Sequence, residues 1–403
     1  MIKAQIHDII IVGGGLAGAM LAWRMHLQNA TLRVLVLEQG QTLGGNHTWS
    51  FFRSDLTVEQ HKLLKPLVTK EWNSYKVLFP KFTRKVENGY ASVSATQFHE
   101  VIASALGNRV RFECVVRSVD DHRVELSSGE VLTAPCIIDA RGVKPSQHLV
   151  LGFQKFLGLE VKLSAPHGLD FPIIMDATVS QHDGYRFVYS LPFAPDRMLI
   201  EDTYYSDGID LPISVLRERI AAYAQMQGWK IAQIERSEQG ILPIILAGDY
   251  AAFERELAQG AVKIGLAAGL FQPTTGYSLP DAVRTCDVLL SAMAERPLTT
   301  EEARGLMLAH GRKLWRERRY FRFLNRMLFQ ASEPQARYKV LQRFYRLNAG
   351  LIERFYSARL NFSDKIRILS GKPPVSIRRA FSSVSETQTL ERQKSKSARN
   401  GYA

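Results

Sequence analysis

Two glycine-rich stretches could hold a ligand through backbone N–H groups. The first is Gly13-Gly14-Gly15-Leu16-Ala17-Gly18, followed by Glu38. In a G-x-G-x-x-G turn the first glycine permits a tight turn. The second lets a pyrophosphate approach the backbone, and the third lets helix and strand pack closely. The N–H groups of the helix that follows then face the phosphates, favoured by the helix dipole. An acid about 20 residues further on suits ribose hydroxyls. Glu38 stands there. The second stretch, Ala261 to Ser278, carries Gly265, Gly269 and Gly276 and again reads as strand, turn and helix start. Two such motifs ~250 residues apart predict one nucleotide site built from distant segments.

These turns need rigid flanks. Ile9-Ile10-Ile11-Val12 is a β-branched run that predicts a strand buried on both faces. Ala19 to Met25 is helix-compatible, and Arg33 to Leu37 is a second strand ending in Glu38. Cys136-Ile137-Ile138-Asp139-Ala140-Arg141-Gly142 is an apolar strand closing in a small-residue turn. It resembles the second nucleotide-proximal motif of two-dinucleotide-domain flavoproteins, which makes Asp139 a cofactor candidate. The short alternating segments before it, within Val110–Leu132, predict a small antiparallel insertion. Leu279 to Leu290 predicts a helix.

Four strand-like segments lie between Leu151 and Tyr205: Leu157–Leu163, Phe171–Asp176, Tyr185–Pro192 and Arg197–Tyr205. They are joined by Gly, Pro and Asp turns. An amphipathic helix over Ile213–Met226 follows, then two strands near Trp229–Glu235 and Gly240–Leu246. The stretch from Gly44 to Phe52 reads as an aromatic-rich loop, with His47 and Trp49 as wall candidates for a ring-shaped or apolar ligand. The predicted organisation is a cofactor-binding domain in two parts, 1–150 and 260–298, around a sheet domain, 151–259. A helical region, 299–375, and a disordered basic tail, 376–403, complete it.

Composition narrows the class. The chain has 403 residues and is 46% hydrophobic, ordinary for a globular protein. No run of ~18 apolar residues predicts a membrane-spanning helix. The first strand starts so early that no signal peptide is expected. Cys114, Cys136 and Cys286 lack metal-ligand spacing, so buried thiols in a reducing compartment are expected and no metal site. From Gly311 onward there are 22 Lys and Arg against 6 Asp and Glu, whereas the first 310 residues hold 30 against 33. The positive charge therefore belongs to the C-terminal part. There, arginines alternate with Trp315, Tyr320, Phe323, Phe344 and Phe355. That pattern suits a helical core, and also the headgroup region of an anionic membrane.

Three motifs carry a more specific resemblance: Gly44–Phe52, Glu201-Asp202-Thr203, and Gln272-Pro273-Thr274-Thr275-Gly276-Tyr277-Ser278-Leu279-Pro280. With Glu353-Arg354-Phe355-Tyr356, Asn361–Lys365 and Ile368–Pro374, they make the chain similar, up to about Val375, to the bacterial lycopene β-cyclase family. The resemblance implies an α/β fold. Its FAD-binding Rossmann-like domain would be of the flavoprotein hydroxylase type, with an antiparallel-sheet substrate domain and a helical C-terminal region. It implies a carotenoid-biosynthesis enzyme, an intramolecular lyase or isomerase. Such an enzyme closes both linear ends of lycopene, through γ-carotene, to give β-carotene. Reduced FAD would be required, with NAD(P)H as electron source, and no net redox change. The enzyme would lie as a peripheral protein on the cytoplasmic side of the inner membrane. This chain has Gly265-Leu266 where many related flavoproteins carry Gly-Asp, so backbone groups near Ala268-Gly269 are expected at the cofactor.

That reaction needs an acid to protonate a terminal double bond, a dry cavity to protect the cation, and a base to remove a ring proton. Glu201 is the candidate for acid and base. It follows Met198-Leu199-Ile200, so it is expected at the end of an apolar strand, where burial raises a carboxyl's pKa. Asp202 should point to the opposite face of a regular strand. Pocket candidates are His47, Trp49, Tyr204, Phe271 and Tyr277. Cofactor candidates are Gly13, Gly15, Leu16, Ala17, Gly18, Glu38, Asp139, Gly269 and Gly276. Two other readings share parts of the pattern. A redox flavoenzyme (hydroxylase, desaturase or ketolase) acting on a polyene would use the same nucleotide fold. A nucleic-acid binder would use the C-terminal arginines, but no recognised module supports it, and no nucleic-acid partner is expected.

Overall fold

The computed structural model describes residues 7–144, 146–371 and 383–399. Pro373-Pro374 and the remainder of the expected tail lie outside the described residues. The first layer is a five-stranded parallel sheet. Its centre is β1 (Ile9–Val12), which leads through the glycine turn into α1 (Leu16–Gln28) and returns as β2 (Val34–Leu37). Across the sheet the order is Val262–Lys263, Cys136–Asp139, β1, β2 and Val110–Arg111. All four residues of β1 and of β2 are buried, as the uninterrupted apolar runs require when helices cover one face and the meander the other. That meander, Val116–Val119, Arg123–Leu126 and Val131–Thr133, is the small antiparallel insertion.

The second layer is a seven-stranded sheet built on four long strands: β3 (Leu149–Leu163), β4 (Tyr185–Ala194), β5 (Arg197–Ser206) and β6 (Ile231–Gly248). The order is β6-β3-β5-β4, continued by Ile173–Asp176, Tyr75–Phe79 and Phe82–Val86. Three differences from the sequence reading matter. The two short strands expected after Trp229 are one 18-residue strand, β6, because it pairs along almost all of β3. The sheet also takes two strands from residues 75–86, and one of them pairs in parallel with Ile173–Asp176. Finally, Thr48–Phe52 is a strand pairing with Tyr90–Ser94, where an aromatic loop is expected.

Alternation along β3 and β5 sorts side chains to two faces. Leu157, Leu159, Val161, Met198, Ile200 and Tyr204 face α2 (Ile213–Met226) and form one core. The other face carries the candidate site. Further along it, the C-terminal helices bury Phe321, Phe329, Phe344, Tyr345, Phe355 and Tyr356 against Tyr185, Phe187 and Tyr205. Most of the expected aromatic and basic pattern is therefore internal. Arg318 pairs with Asp281 at 2.7 Å, and Arg337 with Asp207 at 2.8 Å. Arg322 pairs with Glu386 at 2.9 Å.

Glu386 belongs to the stretch expected to be disordered. Instead, Glu386–Arg399 is helical, and Arg326 donates to the Ser383 and Val384 carbonyls just before it. Low hydrophobicity misleads here because the docking is made by buried arginines. Among the described residues no helix is long and apolar enough to cross a membrane.

Candidate active site

The glycine turn after β1 is shaped by close approach. Gly13 adopts φ +102°, and its N–H donates to the Leu37 carbonyl at 2.8 Å. A Cβ on Gly18 would fall 2.1 Å from the Gly13 oxygen, whereas one on Gly15 would meet nothing within 4 Å. The first-turn N–H groups, from Leu16 and Ala17 onward, have no carbonyl one turn earlier and open onto this free space. Glu38 leaves the end of β2 and accepts from the Gly14 and Gly40 N–H groups, both at 2.7 Å. The carboxylate thus stands beside the turn. An open helix N-terminus with an acid next to it fits a dinucleotide.

Asp139 also reaches the strand ends, but it is buried under Arg141, which donates to it through Nε and Nη2, both at 2.8 Å. Burial opposes its charge, yet the Arg141 bonds hold the carboxyl below the usual range. Asp139 therefore braces its own loop.

After Val262–Lys263 the turn Gly265–Ala268 packs on α1, where a Cβ on Gly265 would lie 2.9 Å from the Ala17 Cβ. Gly269 caps this turn in the left-handed region, φ +68°, and its N–H donates to the Leu266 carbonyl at 3.0 Å. That donor is already satisfied within the turn, so of the backbone groups expected at the cofactor the Gly269 N–H is engaged internally. The chain then runs through Gly276 into α3 (Leu279–Ala292). Leu266 and Gly276 line a cavity together with His47, Trp49, Glu201 and Tyr277. The second glycine-rich stretch therefore borders this cavity.

Cross-strand register explains the cavity wall. Glu201 sits in the middle of β5, not at its end. It is opposite Gly158 of β3 and Tyr189 of β4. One row away, Thr203 is opposite Phe156, and in the next row Tyr205 is opposite Gln154. Phe156, Gln154, Tyr189, Leu191 and Leu199 all line the cavity. The Thr203 hydroxyl donates to Glu201 Oε1 at 2.7 Å. Burial pushes the Glu201 carboxyl up to about 8, and the nearby Glu238 carboxylate acts in the same direction. At neutral pH Glu201 is therefore a protonated acid inside an apolar, aromatic wall.

Tyr277 completes that wall. Its hydroxyl lies 3.0 Å from that of Tyr90 and 3.2 Å from that of Tyr189, and burial holds all three phenols neutral. Burial also depresses His47, with Arg236 adding to it, so its imidazole is neutral. Trp49 packs on Phe98 at 5.1 Å between ring centres.

Two candidates lie elsewhere. Tyr204 is one residue out of phase with the cavity face. Its hydroxyl donates to Asp202 at 2.7 Å, and Asp202 accepts from Arg186 at 2.7 Å, all on the α2 side. Phe271 is turned to a separate small cavity beside Trp315 and Arg318. Tyr90, Gln154, Phe156 and Tyr189 were not singled out from the sequence. Gln154, a lone amide two residues before Phe156 in an apolar strand, was the available signal.

Comparison with known proteins gives the family. Residues 8–382 match the model of the family described as lycopene cyclase protein. The chain is 46% identical to a lycopene beta-cyclase of Pseudescherichia vulneris, over 93% of this chain and 96% of that one. It is 45% identical to one of Pantoea ananas, over 94% and 98%. Among solved structures it resembles a variant of 2-methyl-3-hydroxypyridine-5-carboxylic acid oxygenase, with TM-score 0.59 and 14% identity over 90% of this chain and 98% of that one. It also resembles a geranylgeranyl bacteriochlorophyll reductase-like protein of Thermoplasma acidophilum, with TM-score 0.54 and 12% identity over 97% and 100%. At these identities the structural likeness concerns the fold.

Proposed function

The chain belongs to the lycopene cyclase family, and on that basis we propose that it is an FAD-dependent lycopene β-cyclase with Glu201 as its acid and base. The observation that carries this reading is a carboxyl kept protonated at neutral pH in a wall of phenols and aliphatic side chains.

Glu201 donates its proton to the terminal double bond of one linear end of lycopene. The adjacent double bond attacks the tertiary cation, and a carbon–carbon bond closes the six-membered ring. The Glu201 carboxylate then removes a ring proton, which creates the ring double bond and restores the acid. No electrons are consumed and the mass is unchanged. A second round converts γ-carotene to β-carotene.

Tyr90, Tyr189, Tyr277 and Phe156 exclude water, and their faces attract the cation, each worth ~0.5–2 kcal/mol. Gly13, Gly15, Leu16, Ala17, Gly18 and Glu38 would hold the nucleotide part of FAD, and Leu266 and Gly276 would border its ring. Bound in reduced form, FAD would supply negative charge beside the cation site. NAD(P)H would serve as the electron source.

The lipid-soluble substrate calls for a protein at the membrane surface. Phe362, Ile366 and Leu369, 78%, 54% and 48% exposed, share one face of the helix Phe362–Leu369. Their spacing, with Lys365 and Arg367 between them, suits peripheral contact with an anionic bilayer on the cytoplasmic side of the inner membrane.

The test is Glu201→Gln, assayed anaerobically on lycopene with reduced FAD. The expected result is bound flavin with ring formation reduced at least ~10³-fold. Undiminished cyclisation would remove Glu201 from the reaction, and a product heavier by oxygen in air would favour an oxygenase.

A further inference from the structure

Glu201 has a second buried carboxyl in its own row. The register sets Glu201 of β5 and Glu238 of β6 opposite the same residue of β3, Gly158. The residue between the two acids is therefore the one without a side chain. A Cβ there would come 3.0 Å from Glu238 Cγ, 3.2 Å from Glu238 Oε1 and 3.1 Å from Leu199 Cδ1. Glu238 is 2% exposed, and its side chain does not line the cavity.

Its Oε2 accepts from Arg236 Nη1 at 2.9 Å and from the Thr48 hydroxyl at 3.0 Å. Its Oε1 is buried with no hydrogen-bond partner among the described residues. A half-satisfied buried carboxylate is expensive. Burial pushes the Glu238 carboxyl up, but Arg236 and Thr48 act against it. Of the two acids, Glu238 is the one that carries the charge.

We propose that Glu238 is a positioning residue for proton transfer: its fixed charge, one glycine away, keeps Glu201 in the proton-donating form until substrate arrives. This rests on the reading of Glu201 as the donor. The Glu238 carboxylate opposes ionisation of Glu201, and the member bound to Arg236 is the one that stays charged. Glu238 does not touch the substrate.

The other groups around Glu201 leave this assignment intact. Tyr189 beside it, and Tyr90 and Tyr277 across the cavity, remain neutral because burial raises them. His47 on the cavity wall is depressed and uncharged. Glu160 is paired with Arg236 Nε at 2.9 Å. Asp202, on the opposite face, is paired with Arg186 at 2.7 Å. In Glu238→Gln, Arg236 keeps Glu160, Thr48 and the Asn46 carbonyl, so its guanidinium stays in place.

The experiment is the pH profile of kcat/KM on lycopene in vesicles, using FAD-loaded enzyme. Activity should fall on the alkaline side as Glu201 loses its proton. In Glu238→Gln that limb should move down by about one pH unit, with flavin content unchanged. Glu238→Asp, which restores the charge, should return the limb toward its original position.

A uniform loss of rate with the limb unmoved would mean a merely structural role and overturns the proposal. If Glu201→Gln itself still cyclises lycopene, the parent reading fails instead. Should Glu238→Gln not fold, the infrared spectrum of the unsubstituted holoenzyme decides. The proposal requires that Glu201 contribute a protonated-carboxyl band at neutral pH, in addition to that of Asp55, which burial raises to about 7. An unchanged carboxyl band in Glu201→Gln would overturn the proposal.

Discussion

Replacing Thr203 by Val removes a hydrogen bond that favours ionisation of Glu201. The hydroxyl is fully buried and donates to Glu201 Oε1 at 2.7 Å. Valine keeps the volume and the β-branched shape, so the strand and its neighbours Phe156 and Phe187 should stay in place. The bond stabilises the carboxylate more than the neutral acid and therefore lowers the pKa. Taking the difference as about 1 kcal/mol, the shift is about 0.7 pH unit upward.

The acid form is the active donor, so activity is present below the Glu201 pKa of about 8 and lost above it. In Thr203→Val the alkaline limb should move up, and the variant should outperform the parent above pH 8. The assay is conversion of lycopene to γ- and β-carotene in vesicles from pH 6 to 10, with bound flavin checked at each point. A limb that stays still, or moves down, would refute a protonated Glu201 as donor.

Other consequences are simpler to read. Gly18→Ala places a Cβ 2.1 Å from the Gly13 oxygen, so the purified variant should lose most of its yellow cofactor, measured by absorbance. Arg186→Ala removes the cation paired with the buried Asp202 and leaves it the Tyr204 hydroxyl, which should lower unfolding stability by about 3–5 kcal/mol in a denaturant titration. Changing Phe362, Ile366 and Leu369 together to serine should abolish flotation with anionic liposomes while leaving flavin content unchanged. Retained flotation would assign membrane contact to another surface.

The nucleotide half of the molecule was largely legible because its signals are local. A β-branched run, a glycine turn and an acid at the next strand end each lie within one short segment, and the structure places Glu38 where the spacing put it. The helix Ile213–Met226 was legible for the same reason, since its apolar period and its end at Gly228 are adjacent in sequence. The C-terminal part was harder. Arginines alternating with aromatics look alike whether they face lipid or a core. The choice went to the core because Asp281, Asp207 and Glu386 lie close enough to pair with them. None of those acids is a near neighbour in sequence.

The wall around Glu201 shows why a site of this kind resists sequence reading. Glu201 is conspicuous in its own strand as an acid after three apolar residues, yet it was the Glu201-Asp202-Thr203 motif shared with the family that made it the candidate. What surrounds it is set by register between β6, β3, β5 and β4, and a shift of one residue would turn every side chain to the other face. Tyr204 illustrates the error: it is aromatic and three residues from Glu201, yet an odd separation along a strand sends it to the α2 side. Tyr189 is the aromatic residue that matters, and it is identified by being opposite Glu201 in the ladder. Gly158 carries the same lesson further. In sequence it is a small residue inside an apolar strand. In the ladder it is the gap through which two carboxyls act on each other, and a methyl group there would stand between them.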